Sequence, residues 1–162
     1  MWQSVAAAPA FAYEDELTLG VGLGYAYAAR EGGPHSGAAA ALEASLGLGQ
    51  SWSTRAFVGY SLHPAKRSLS KLNAAVELVY VVDILEIVPY FGAGVDVLGS
   101  WGRATDGARA DFGVHPVVGL DWLFSRDLII GLEARPVFVL TRWEREPLSL
   151  NVLLTGSLVL EL

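Results

Sequence analysis

Cysteine is absent from the chain, and histidine occurs only three times in 162 residues. The first absence removes any disulfide framework and any thiolate metal site. Three well-separated histidines make no ligand cluster, so neither a metal nor a cofactor is expected. Charge is scarce as well, at 17% of residues, and the net charge is −6. No basic cluster is present, which argues against a nucleic-acid partner. No uninterrupted apolar run reaches the roughly 18 residues that a spanning helix needs. The longest charge-free stretch, Pro147 to Leu160, is interrupted by Ser, Asn, Thr and Gly. A glycine-rich phosphate loop is missing too: Gly20-Val21-Gly22 and its neighbours keep strand parity and do not open a helix.

What the chain does have is hydrophobicity, 52% of residues, distributed in short alternating segments. Side chains of a strand point to opposite faces with period two. In Leu148 to Leu162 the Leu148, Leu150, Val152, Leu154, Leu158, Leu160 parity is apolar, and Ser149, Asn151, Thr155 and Ser157 share the other. The same alternation runs through Glu16 to Ala29, Thr54 to Leu62, Lys71 to Val82, Ile87 to Leu98, Asp111 to Phe124 and Leu128 to Leu140. Ala38 to Leu48 follows it with Leu42, Leu46 and Leu48 opposite Glu43, Ser45 and Gly47, although its alanine run competes for helix. Each segment is close to the roughly 9–11 residues that cross a bilayer at a tilt.

The connections sort into two kinds. Gly49 to Ser53, Asp83 to Glu86 and Ser125 to Asp127 are short turns. Arg30 to Gly37, His63 to Ser70, Gly99 to Ala110 and Thr141 to Pro147 are longer, charged loops, with Gly99 to Ala110 the longest. Short turns alternating with long loops suit an all-β, eight-stranded antiparallel up-and-down transmembrane barrel. The face of large apolar residues is the lipid-facing exterior, and the face of glycine and charge is the packed polar interior. An even strand count puts both termini on one side, expected to be periplasmic.

The N-terminus reads as a leader. Trp2 to Ala12 is small and apolar, and Ala10-Phe11-Ala12 precedes an acidic stretch, as at a secretory cleavage site. Residues 1–12 are accordingly expected to be a signal-peptide remnant or a disordered or plugging arm, and 13–162 a single barrel domain.

Two residue sets carry the functional expectations. Tyr25, Tyr27, Tyr60, Phe138 and Trp143 toward the loop end, with Trp52, Trp122 and Phe124 toward the turn end, should form two aromatic girdles. The inward parity gathers Glu43, Arg55, Glu77, Asp96, His115, Asp121, Glu133 and Arg135 into an interior polar network. Hairpin counting places Glu43 opposite Gly59, Glu77 opposite Gly92 and Glu133 opposite Gly119, each acid facing a glycine that leaves it room. With three Glu and one close Arg, one Glu is expected to be protonated or water-linked.

Val88-Pro89-Tyr90-Phe91-Gly92-Ala93-Gly94-Val95, Gly119-Leu120-Asp121-Trp122, Ser125-Arg126-Asp127-Leu128 and Gly131-Leu132-Glu133-Ala134-Arg135 resemble the small outer-membrane β-barrel proteins of the OmpA/OmpX type. The resemblance implies a Gram-negative outer membrane and a lipid environment that includes lipopolysaccharide, whose phosphates suit Arg103, Arg142 and Arg145 beside Trp101 and Trp143. An envelope protein partner is a further expectation. The leading functional expectation is a structural or interaction barrel with a plugged or very narrow lumen. A small pore or transporter is the alternative. A lipid-modifying enzyme is a second alternative, with His35-Ser36, His63 and His115 to be weighed for acyl transfer. No spacing assembles a nucleophile, base and acid, so no catalytic residue is assigned.

Overall fold

The computed structural model describes residues 16–31, 33–64, 68–82, 87–103, 105 and 107–161. The leader expected over 1–12 and the turn expected over 83–86 lie outside the described residues, as do 65–67, Asp106 and Leu162.

Eight strands form one closed antiparallel barrel in chain order. They are β1 (Glu16–Ala29), β2 (His35–Gly47), β3 (Trp52–His63), β4 (Leu69–Val81), β5 (Ile87–Trp101), β6 (Arg109–Leu123), β7 (Leu128–Val139) and β8 (Leu148–Glu161). A short 3-10 turn, Leu140–Arg142, follows β7. β8 closes the barrel on β1 from Glu16 opposite Glu161 to Ala29 opposite Leu148. Closure leaves no free edge, which hydrocarbon requires because it cannot hydrogen-bond an exposed backbone.

The alanine-rich segment is strand β2, not helix. Its inward Ala39 and Ala41 pack in one buried cluster with Phe57 and Leu153. Tertiary packing overrides helix propensity here, because only small side chains leave room for that ring.

The expected loop Gly99 to Ala110 is too long. Pairing continues through Gly99 opposite Ala110 and Ser100 opposite Arg109. The hydrophobic alternation stops at the edge of the apolar belt, but the backbone ladder does not. Buried Ser100 and Asp111 still line the barrel mouth, so a polarity change marks the belt and not the strand end.

The exterior is apolar. Leu23, Leu42, Val95 and Leu154 are 69%, 63%, 63% and 62% exposed. An apolar surface continuous around the barrel far exceeds the patches a water-soluble monomer tolerates. Together with closure, this makes the fold a transmembrane β-barrel with a lipid-facing exterior.

One seam is imperfect. Between β6 and β7, Val114 pairs with Phe138 and Val118 with Ala134, and the ladder is interrupted between them. That register sets Pro116 opposite Pro136. Neither has an N–H to donate, so the bonds expected at this level cannot form.

Candidate functional site

The interior polar residues come from seven strands and meet in the middle of the barrel. Alternation turns Glu43 of β2, Arg55 of β3, Glu77 and Asn73 of β4, Tyr90 and Asp96 of β5, His115 of β6, Glu133 and Arg135 of β7 and Ser157 of β8 inward. Arg55, Glu77, Asp96, His115, Glu133 and Arg135 are all buried.

They form a chain in which acids and bases alternate. Arg55 Nη1 lies 3.7 Å from Glu43 Oε2 and donates to Glu133 Oε2 at 2.6 Å. Arg135 Nη2 lies 2.8 Å from Glu133 Oε1 and 2.9 Å from Glu77 Oε1. These two contacts are ion pairs at close range without aligned hydrogen bonds. His115 Nε2 lies 3.1 Å from Glu77 Oε1, and its Nδ1 side lies 2.6 Å from Asp96 Oδ2. Asn73 Nδ2 donates to Asp96 Oδ1 at 2.9 Å and ends the chain. Neutral donors meet the surplus of acid: Tyr90 Oη donates to Glu133 Oε2 at 3.0 Å and Ser157 Oγ to Glu43 Oε1 at 3.2 Å.

Two aromatic rings complete the layer. The Arg135 guanidinium lies 3.5 Å from the centre of the Phe57 ring, and that of Arg55 lies 4.8 Å from the centre of Tyr90. A desolvated cation over an aromatic face gains about 2 kcal/mol. The sequence placed both rings on the inward parity, but nothing in it assigned them a cation.

Each long acid does face a glycine, though for two of three it is a different glycine from the one expected. Glu43 pairs with Phe57 on β3 and with Gly20 on β1. Glu77 pairs with Gly94, not Gly92. Glu133 pairs with Gly119. A Cβ at Gly20 would stand 2.7 Å from Glu43 Cγ, and one at Gly94 would stand 2.8 Å from Glu77 Cγ. At Gly119 the space is taken by the Tyr90 ring, not by Glu133. The hairpin counts for the first two turns fail by two residues because turn length alone does not fix the stagger of a closed sheet.

Asp121 is inward but stands apart from the chain of contacts. It lines a cavity of about 30 Å³ at the turn end with Glu16, Glu43, Ser53 and Arg55. A smaller cavity of about 10 Å³ lies toward the loops, lined by Asn73, Lys71, Ser61 and Asn151 among others. The charged chain and the two rings lie between them.

Above the second cavity is an ion pair that the sequence did not suggest. Glu146 belongs to the loop before β8, yet it is buried and pairs with inward Lys71 of β4. Lysine on an inward parity was the available signal, but a loop carries no periodicity to reveal its partner.

Two of the three histidines meet at the loop end of the barrel, and the third stands in its interior. Ser36 Oγ is 2.7 Å from the Tyr25 hydroxyl. Ser61 Oγ lies 3.2 Å from His63 Nε2, and His63 Nδ1 donates to the His35 carbonyl at 3.2 Å. That carbonyl occupies the place an orienting carboxylate would take. His115 is held between two acids, Glu77 and Asp96, with no serine bonded to it among the described residues.

The aromatic residues of the outer wall fall into two bands. Tyr60 meets Trp101 at 6.0 Å and Phe138 meets Trp143 at 6.3 Å near the loops. Trp52 meets Tyr80 at 5.1 Å, Tyr80 meets Phe91 at 5.4 Å and Trp122 meets Phe124 at 5.6 Å near the turns. Tyr25 is exposed beside the loop band, and Tyr27 is partly covered there. Tyr80, Phe91 and Trp101 join the residues the sequence singled out. Along β3 the step from Trp52 to Tyr60 spans roughly 27 Å, or about 20 Å along the barrel axis at the usual tilt.

No protein-family model matches the chain, and no curated protein matches it. Solved structures do. Neisserial surface protein A (NspA) superposes with a TM-score of 0.74 at 12% identity, covering 92% of this chain and 100% of that one. The N-terminal β-barrel domain of Pseudomonas aeruginosa OprF gives 0.66 at 11% identity, over 91% and 98%. The outer membrane enzyme PagL gives 0.53 at 15% identity, over 88% and 97%. The fold is therefore that of the small eight-stranded outer-membrane β-barrels, the OmpA/OmpX type. That architecture serves enzymes as well as other proteins, so function has to be argued from the interior and the rim.

Proposed function

We propose that this protein is a structural or interaction barrel of a Gram-negative outer membrane, with its lumen plugged by side chains. The observation that carries the reading is the unbroken run of contacts from Glu43 through Arg55, Glu133, Arg135, Glu77 and His115 to Asp96 and Asn73. Paired charges, with Phe57 and Tyr90 beside them, fill the cross-section that eight strands enclose. A buried ion network of this kind adds little net stability. Its value here is to occupy the lumen with groups that hold one another in place.

The aromatic bands act as interfacial anchors, and the termini face the periplasm, consistent with residues 1–12 being the remnant of a secretory leader. The surroundings are membrane lipid, including lipopolysaccharide, and the loop rim is the surface for an envelope protein partner. Nucleic acid is not a partner, given the net charge of −6.

Planar-bilayer recording on the purified barrel tests the plug. The expected result is no unitary conductance in the native protein. Steady ohmic conductance would replace this reading with that of a small pore. A change in lipid mass on expression, lost on replacing His63, would replace it with that of a lipid-modifying enzyme.

A further inference from the structure

The outer wall carries a depression of about 520 Å³ where β4, β5 and β6 run side by side. Ala74, Val95, Val97, Phe112, Val114 and Leu140 line it. Ala74 stands opposite Val97, which stands opposite Phe112, and Val95 stands opposite Val114. Short side chains form the floor, and Phe112 and Leu140 raise the wall. Its lining is almost wholly apolar and it lies within the lipid-facing belt.

Leu140 also lines a second concavity, of about 370 Å³, formed by the loop after β7 with Thr141, Arg142, Trp143, Glu144 and Arg145. The two hollows therefore share one lining residue. The second is cationic on balance: it holds two arginines and one glutamate, because Glu146 turns inward to Lys71. Arg142 Nη1 is buried without a hydrogen-bond partner among the described residues. Trp143, packed against Phe138, stands at the level where lipid headgroups begin.

We propose that the two hollows are one seat for a phosphorylated lipid of the loop-side leaflet. An acyl chain lies in the apolar depression and a phosphate meets Arg142 and Arg145. Guanidinium matches the geometry of phosphate oxygens, and Arg145 is exposed and Arg142 half-exposed where they line the loop hollow. A soluble anion would have no use for the apolar half. A neutral lipid would leave the arginines unmatched. The proposal rests on the membrane reading above and adds to it a ligand class and a place.

Native mass spectrometry of the full chain, released from detergent micelles, tests it. Three probes are offered at equal concentration: lipid A carrying its phosphates, the same lipid with the phosphates removed, and inorganic phosphate. The native barrel should retain the phosphorylated lipid about tenfold more strongly than the dephosphorylated one, the scale of a lost charge-assisted hydrogen bond. The R142Q/R145Q variant should lose that preference. Ala74→Phe, which fills the depression, should lower retention of both lipids. Heat-modifiable gel migration identifies the variants that remain folded. Equal retention of the two lipids by the native protein overturns the proposal. So does an unchanged preference in R142Q/R145Q, unchanged retention in Ala74→Phe, or inorganic phosphate held as strongly as the lipid. None of these outcomes alters the conductance test, so the seat can fail while the plugged barrel stands.

Discussion

Arg135 lies flat against Phe57, its guanidinium carbon 3.5 Å from the ring centre, and neither side chain reaches solvent. The same guanidinium separates Glu77 from Glu133. It is the point at which the two halves of the charged chain join. Replacing Arg135 by Met leaves two buried carboxylates without their cation, and the expected loss is about 3–5 kcal/mol. Phe57→Leu removes the stacking and keeps the charges, for a loss nearer 2 kcal/mol. Urea unfolding in lipid vesicles, followed by tryptophan fluorescence, ranks the two. Equal losses would mean that the charge contacts carry no burden of their own.

The glycines of the barrel wall predict a graded response to one added methyl group. At Gly94 a Cβ would stand 2.6 Å from the Val76 carbonyl oxygen and 2.7 Å from His115 Cε1. Backbone cannot yield as a side-chain tip can, so Gly94→Ala should cost about 1–3 kcal/mol. At Gly156 nothing lies within 4 Å, and Gly156→Ala should stay within about 0.5 kcal/mol. The same unfolding assay reads both, and a Gly156→Ala loss as large as that of Gly94→Ala would contradict the packing described.

The Lys71–Glu146 pair holds the last loop into the mouth of the barrel. Arg145 N and Glu146 N also bond the Arg142 carbonyl, at 3.0 and 2.9 Å. In Lys71→Met the buried Glu146 carboxylate has no cation and should swing out to water. Amide exchange at Arg145 and Glu146 should then quicken at least tenfold, the factor for about 1.4 kcal/mol of local stability. The rest of the barrel should exchange as before. Unchanged exchange at those two amides would show that the backbone bonds alone hold the loop.

The opposed prolines predict a gain. Pro116→Val with Pro136→Val restores two backbone donors between β6 and β7. At roughly 0.5–1.5 kcal/mol per hydrogen bond, offset in part by the looser unfolded chain, the double variant should gain about 1–2 kcal/mol. Its urea midpoint should rise, and a fall would mean that the prolines relieve a crowding the ladder does not reveal.

Much of this was legible in the residues, and the parts that were not share a cause. Alternation is local, so Leu42 against Glu43 and Tyr90 against Phe91 disclosed which side chains face inward. Register is not local. Glu43 meets Gly20 from the strand before it, and Glu77 meets Gly94 two residues past the position that turn counting gives. The stagger is set by closing all eight strands at once, which no single hairpin records. Phe57 and Tyr90 stood on the inward parity in plain view. Their cations come from residues 78 and 35 positions away, Arg135 for Phe57 and Arg55 for Tyr90. Glu146 was hidden for a third reason: it enters the barrel from a loop, where spacing carries no directional information.

The Pro116–Pro136 gap also gives the closed sheet a line of mechanical weakness. The seam at which the ends of the chain meet, β1 against β8, is continuously paired over its length. The interrupted one lies two seams away, within the covalent sequence. A cylinder under lateral tension tears along its least-stitched line. Here that line would open the barrel into one sheet with β6 and β7 at its two edges, because β8 stays stitched to β1. Under lateral tension the barrel should part there first, between β6 and β7, while its closing seam holds.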